Sequence, residues 1–209
     1  MKVAVIGCTN LGIAITQNII NRGQQVTLVP GEMELQRSQE IALQLGDQLT
    51  IGNLEQVKVS CDLFILACTW DEVKFNCQKL NDAPGKIIID ATMPTIGGLE
   101  LDRTDGLSGG EQVAQWAPNL RVFKSLNYVG TENLRDPLYP EGIPAMFVAG
   151  NDSEEKSTVL DFVSKMGFDA LDAGPLSNAQ FLEQMGLFWI HLAHLLDKGC
   201  NFAFALIKR

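Results

Sequence analysis

Eleven residues near the start constrain this chain more than any other stretch: Lys2-Val3-Ala4-Val5-Ile6-Gly7-Cys8-Thr9-Asn10-Leu11-Gly12. An apolar run ends in one glycine, and a second glycine follows inside the opening of a helical pattern. Strand, tight turn and helix in immediate succession aim the backbone N–H groups of the turn and the helix N-terminus at one point. That arrangement suits a pyrophosphate. The spacing is that of G-x-G-x-x-G, with Thr9 at the middle position. Gly7 permits the turn, and Gly12 lets the helix close onto the strand. Thr9 brings a side chain to the place where backbone usually approaches phosphate. Its hydroxyl and the Asn10 side chain are candidate donors to a phosphate oxygen.

The pattern that follows is an alternation of apolar runs and helical segments. Strands are expected at Val3–Ile6, Gln25–Val29, Leu63–Ala67, Lys86–Asp90, Leu120–Lys124, Ala145–Ala149 and Phe168–Ala173, with a short one at Thr50-Ile51. Runs such as Leu63-Phe64-Ile65-Leu66-Ala67 lack period-two alternation, as parallel strands buried on both faces do. Helices are expected at Leu11–Asn21, Glu34–Leu45, Asp71–Leu80, Gly109–Trp116 and Ser153–Met166. Gly23 and Gly46 close the first two. The fold class is therefore α/β: a Rossmann-type, doubly wound, mostly parallel sheet. The nucleotide-binding domain is expected over residues 1–175. A small C-terminal helical segment is expected over 176–209, with one long helix at Asn178–Lys198 and an apolar tail packed on the domain or on a second subunit. Two stretches, Met93–Gly110 (rich in glycine, Gly98 included) and Ser125–Pro144, break the rhythm where α/β proteins bind ligands.

The charge balance narrows the partners. With 25 acidic against 16 basic residues and a net charge of −9, nucleic acid and anionic membranes are disfavoured. No apolar run approaches the ~20 residues of a membrane span. The first strand at residue 2 leaves no room for a targeting extension. The five cysteines, Cys8, Cys61, Cys68, Cys77 and Cys200, form no C-x-x-C pair. Reduced thiols in a cytoplasmic protein are expected.

At the end of the second strand, about 20 residues after the glycine loop, an acidic residue usually meets the ribose hydroxyls of NAD. Here the sequence runs Val29-Pro30-Gly31-Glu32. Proline holds the expected acidic position. Glu32 and Arg37 are weaker candidates for ribose and 2′-phosphate, each more simply read as a solvated charge.

Four later blocks carry a family resemblance. Asp62–Val73 (D-L-F-I-L-A-C-T-W-D-E-V) looks like the D-V-V-I-L-A-V-P-W-x-x-V segment of the coenzyme F420-dependent NADP oxidoreductases. Gly85–Pro94 resembles their G-K-I-V-I-D-x-T-N-P, Val122–Gly130 their V-V-K-A-F-N-T-x-G, and Phe168–Leu176 their G-F-x-x-V-D-A-G-P-L. The resemblance implies a cytoplasmic oxidoreductase that binds a nicotinamide dinucleotide, NADP(H) before NAD(H), and passes hydride to or from a flavin-like or deazaflavin acceptor. It implies that Gly7, Thr9, Asn10, Leu11 and Gly12 contact the pyrophosphate. Cys68, Thr69 and Trp70 would border the path from adenosine to nicotinamide. Thr92, Met93, Pro94 and Asn127 would line the nicotinamide and acceptor pocket. The chain departs from the family at Thr9, at Pro30 and Gly31 where the family carries Ser-Arg, at Thr69 for Pro, at Met93 for Asn and at Leu126 for Phe. These departures support a second reading, a degenerate dinucleotide-binding module without turnover. A β-hydroxyacid dehydrogenase or pyrroline carboxylate reductase is disfavoured, since only residues 176–209 follow Pro175.

Other polar positions have simpler readings. His191 and His194 stand i, i+3 on the last helix and are expected to pack or to meet a second subunit in a homodimer; no metal site is expected. Cys68 is expected to be a buried inert thiol. Asp90 is expected to bond local backbone N–H groups, and Lys124 to be an edge residue. Trp70 is open between packing and ligand stacking.

Overall fold

The computed structural model describes residues 1–97, 99–207 and 209, so Gly98 lies outside the described residues. In chain order the elements are β1 (Val3–Ile6), α1 (Asn10–Asn21), β2 (Val26–Val29), α2 (Leu35–Leu45), β3 (Leu49–Ile51), α3 (Leu54–Ser60), β4 (Leu63–Leu66), α4 (Trp70–Leu80), β5 (Ile87–Asp90), β6 (Thr95–Ile96), β7 (Glu100–Leu101), α5 (Gly109–Trp116), β8 (Arg121–Lys124), α6 (Thr131–Arg135), β9 (Ala145–Gly150), α7 (Ser153–Lys165), β10 (Asp169–Asp172) and α8 (Ala179–Ile190).

Eight strands form one sheet in the order β10-β9-β8-β5-β4-β1-β2-β3. The six from β3 to β8 are parallel, with β1 between β2 and β4. The order reverses at β1 and β4, so their C-terminal ends flank the switch-point crevice of a Rossmann-type sheet. Each central strand is buried on both faces. Val3 and Val5 pack with α1 and α7 on one side, while Ala4 and Ile6 pack with α4 and α5 on the other. This explains the unbroken apolar runs.

The helix ends follow the local chemistry. Gly23 and Gly46 take positive φ (76° and 68°) just past α1 and α2, a backbone region that glycine enters without a Cβ penalty. Asp152 caps α7 by accepting from the Glu155 N–H. The expected strands and five helices are all present within a few residues.

Three features differ from expectation. First, β9 runs antiparallel to β8, pairing Phe123 with Gly150 and Lys124 with Ala149. The connection from Ser125 to Pro144 carries α6, which packs on the later turns of α1, where Asn18 Nδ2 donates to Leu134 O. An antiparallel neighbour needs no βαβ crossover. Second, the last helix is shorter than the expected Asn178–Lys198. It ends at Ile190 and passes through a π-helical turn, His191–Leu195. Asp197 then takes φ 50°, and the tail folds back. Phe202 stacks on Trp189 and Phe204 on Phe188, while Ala145 N donates to Phe204 O. The apolar tail thus reaches the domain up to Phe204, which a continued helix would prevent. Third, α6 and the β6–β7 hairpin arise in the two stretches expected to break the rhythm, and α3 arises where no element was expected. They are short, and α3 rests on a reciprocal cap between Asn53 and Gln56.

Candidate functional site

The glycine loop joins β1 to α1 at the switch point. Gly7 has φ 109°, and a Cβ there would stand 2.6 Å from the Cys68 backbone at the end of β4. A Cβ on Gly12 would stand 2.0 Å from Gly7 O. Both glycines are therefore required by close approach of backbone to backbone. The turn leaves the Asn10 and Leu11 N–H groups in the first turn of α1, where helix geometry supplies no intrahelical acceptor.

Thr9 does not do what its position invited. It is the N-cap of α1. Its hydroxyl donates to Ala67 O at 2.6 Å and accepts from Gly12 N at 3.2 Å. The side chain thus points into the junction of β1, α1 and β4, and its single proton is committed. Thr9 is a structural cap here, with its hydroxyl proton directed at Ala67 O. Asn10 is engaged too: its Oδ1 accepts from Arg37 Nη2 at 2.5 Å.

A residue without a motif to mark it closes the other side of the loop. Glu34 ends a 3-10 turn that follows β2. Its Oε2 accepts from Cys8 N at 2.6 Å and from Gly31 N at 2.9 Å. Neither Glu32, which is exposed, nor Pro30 plays this part. The available signal was the spacing Gly31-x-x-Glu34, a capping-box interval in which the side chain returns to the N-cap N–H. The Cys8 thiol is pushed up by burial, with Glu34 adding to the shift and Arg37 opposing it.

A crevice of about 800 Å³ opens at this strand edge, lined by Gly7, Val29, Gly31, Cys68, Glu72 and Phe75 among others. Its walls come from the ends of β1, β2 and β4 and from α3 and α4. A second cavity of about 600 Å³ lies at the N-terminal edge, around Lys2, Gln25, Thr50 and Lys165. It is at the wrong end of the sheet for a switch-point ligand.

Beyond β4, Cys68 is buried, and burial pushes its thiol up to about 12 despite the Asn76 hydrogen bond. It is a free, buried thiol. Thr69 Oγ1 donates to Glu72 Oε2 at 2.7 Å and caps α4. Trp70 lies 5.4 Å from Trp116, ring centre to ring centre, and its indole N–H donates to Asp102 at 2.9 Å. It packs. The Asp102 carboxyl is held below the usual carboxylate range by hydrogen bonds from Thr104 and Trp70.

The ends of β5 and β8 hold a buried charge network. Lys124 Nζ, fully buried, donates to Asp90 Oδ2 at 2.8 Å and Thr92 O at 2.7 Å. Glu183, also fully buried on α8, lies 3.6 Å from the same ammonium. It also accepts from Gly110 N and from Arg103, each at 3.1 Å. Lys124 is thus an interior residue, since β8 lies between β5 and β9. The partners come from 34, 59 and 80 residues away in sequence, a separation no motif spans. Asp90 does bond local groups, accepting from Thr92 N and Thr92 Oγ1.

Next to this network Met93 lies over α8. A Cβ on Gly186 would stand 2.6 Å from Met93 Sδ and 2.9 Å from Asn127 O. Asn127 follows Leu126, whose φ of 62° is left-handed and rare for a leucine. Asn127 Nδ2 donates to Leu182 O at 2.9 Å and contacts Met93 Sδ. Its Oδ1 is buried and has no partner among the described residues. Pro94 packs against Gly109. The structure therefore groups Gly7, Thr9, Asn10, Leu11, Gly12 and Cys68 at the β1/β4 edge. Thr92, Met93, Pro94 and Asn127 form a second group at β5/β8. Thr69 and Trp70 open α4. His191 and His194 are exposed, with His194 edge-on to Trp189. Among the described residues no group of three or more His, Cys, Asp or Glu side chains is placed to hold a metal ion. Among the described residues no helix is long and apolar enough to cross a membrane.

Comparison with known proteins points the same way. Residues 2–94 match the family described as NADP oxidoreductase, coenzyme F420-dependent. The metalloreductase STEAP3 of Rattus norvegicus is 25% identical over 187 residues, 89% of this chain. This chain spans 36% of that relative's length. Among solved structures, a candidate F420-dependent NADP-reductase of Arthrobacter sp. FB24 superposes with a TM-score of 0.84 at 23% identity, covering 100% of both chains. A hypothetical protein of Sinorhizobium meliloti gives 0.78 at 22% identity, covering 86% of this chain and 87% of that one. This Rossmann-type chain thus resembles the coenzyme F420-dependent NADP oxidoreductase family, in sequence over residues 2–94 and in fold over its whole length.

Proposed function

We propose that the protein is a nicotinamide-dinucleotide-dependent oxidoreductase, with a flavin-like or deazaflavin molecule as the second substrate. The observation that carries this is the glycine turn. Two positions tolerate no Cβ, and the turn they form opens α1 beside a crevice at the sheet's switch point. The residues present fit the dinucleotide: the loop supplies backbone N–H groups and a helix N-terminus, and the crevice has room beside it.

When bound, the nicotinamide supplies the hydride chemistry. The chain's own residues hold and shield. Asn10 and Leu11 N–H donate to the pyrophosphate, and Gly7 and Gly12 hold the turn that presents them by letting backbone pack on backbone. Cys68 and Val29 wall the adenosine side. Met93 and Pro94 exclude water on the nicotinamide side. Asn127 Oδ1, buried without a partner, is the acceptor available to a carboxamide N–H. The Asp90–Lys124–Glu183 network fixes the strand ends under this half and touches no reacting atom.

The Thr9 cap and the packing of Met93 onto Gly186 favour a second reading, a binding module without turnover. One experiment separates the two. The protein is mixed with NADH or NADPH and an excess of FMN or a deazaflavin, and absorbance near 340 nm is followed. Nucleotide-dependent reduction of any acceptor supports the enzyme, and saturable nucleotide binding with no reduction supports the module. Free thiols at the five cysteines fit a reducing, cytoplasmic setting. Phe181, Phe188, Leu195 and Leu206 remain exposed along α8 and the tail, a face suited to a homodimer. A dimeric mass in sedimentation would support that assembly, and a monomeric mass would remove it.

A further inference from the structure

We propose that Glu34 sets the nucleotide preference of this site in favour of NADH over NADPH, an inference that rests on the dinucleotide reading above. The carboxylate bridges the ends of two adjacent strands. One oxygen, Oε2, accepts from Cys8 N after β1 and from Gly31 N after β2. The other, Oε1, has no hydrogen-bond partner among the described residues. A carboxylate fixed there accepts from the ribose 2′- and 3′-hydroxyls of NADH. The 2′-phosphate of NADPH offers it only acceptor oxygens and close to two negative charges.

A second carboxylate converges on the same point. Glu72 is pinned from α4, where its Oε2 accepts from Thr69 N and Thr69 Oγ1. Its Oε1 lies 3.0 Å from where a Cβ on Gly31 would stand, with Glu34 Oε2 at 3.5 Å. A side chain at position 31 would have its Cβ in contact with these two oxygens, and a cation on it would pair with them. Glu72 lines the crevice together with Glu32, Glu55 and Asp71, while Glu34 stands behind Gly31 at its rim; Lys79 is the crevice's only basic residue among the described ones. The guanidinium nearest the loop is Arg37, which is bound to Asn10 at the start of α1. That places it on the pyrophosphate side.

The test is a parallel calorimetric titration of the intact protein with NADH and with NADPH, repeated for E34Q and R37Q. Glutamine keeps an oxygen for Cys8 N and Gly31 N, so the turn can still form. NADH is expected to bind at least about tenfold more tightly than NADPH to the unaltered protein. E34Q is expected to weaken NADH and bring the two within about threefold. R37Q is expected to weaken both alike. Tighter NADPH binding, an unchanged ratio in E34Q, or selective loss of NADPH in R37Q would each overturn the inference. If circular dichroism shows E34Q unfolded, the unaltered ratio and E72Q decide in its place, with E72Q expected to narrow the ratio. Binding of neither nucleotide would defeat the dinucleotide reading itself, whereas a preference for NADPH defeats only this one.

Discussion

At the end of β1 the sheet edge is shaped by two glycines, where a Cβ would strike backbone within 2.6 Å. A short distance along the same edge, at the ends of β5 and β8, it is filled by Asp90, Lys124 and Glu183, none of them exposed. The first half is built by removing side chains, and it leaves backbone N–H groups for a ligand. The second half is built by pairing charges, and its polar groups bind one another. On the proposed reading a ligand's charge would be met at β1 and β2, while β5 and β8 would contribute shape and rigidity. Asn127 Oδ1 is the exception, a buried acceptor in the second half without a partner.

The largest expected effect lies in the charged half. Lys124→Met leaves Asp90 and Glu183 without their shared cation in a fully buried setting, and stability to urea should fall by about 3–5 kcal/mol. A loss under about 1 kcal/mol would mean that the network is solvated and the contrast false. Gly12→Ala should lower stability by about 3 kcal/mol, since the added methyl overlaps Gly7 O. Whatever folded protein remains should bind neither nucleotide, which differential scanning fluorimetry with and without NADH would read.

Thr9→Val refines the glycine half. It removes a cap and a bond to Ala67 O, for about 1 kcal/mol of stability. Nucleotide affinity should change by no more than about twofold, because the hydroxyl already serves the fold. A tenfold loss of affinity with unchanged stability would return Thr9 to the phosphate. The smallest effect concerns Asp102. Its folded pKa is depressed, so its contribution is present above the unfolded value of about 4 and is lost as pH falls through the lower folded one. Trp70→Phe removes one donor. The gap in stability between the two proteins should shrink by a few tenths of a kcal/mol below about pH 4, the carboxyl being mostly solvated. A gap that does not move with pH would deny the Trp70–Asp102 bond.

How much of this was legible depends on the range of the interaction. The strand, turn and helix at residues 2–12 are local, and both glycines mean what their spacing says. Helix ends at Gly23 and Gly46 were equally plain. The direction of β9 was not legible, because an apolar run encodes burial and carries no polarity. The inward turn of the Thr9 hydroxyl was not legible either, because position alone does not say which way a hydroxyl points. Glu34 stands five residues past the end of β2 and comes back only through a 3-10 turn. The Lys124 partners are too far away in sequence to form a pattern.

The most direct test is an equilibrium titration of the folded protein with NADH, and in parallel with NADPH, by isothermal calorimetry. Saturable binding of one nucleotide per chain, abolished in Gly12→Ala protein that remains folded, is the expected result. No binding of either nucleotide to a folded protein would show that the glycine turn is only a structural junction and would contradict the assignment of the crevice.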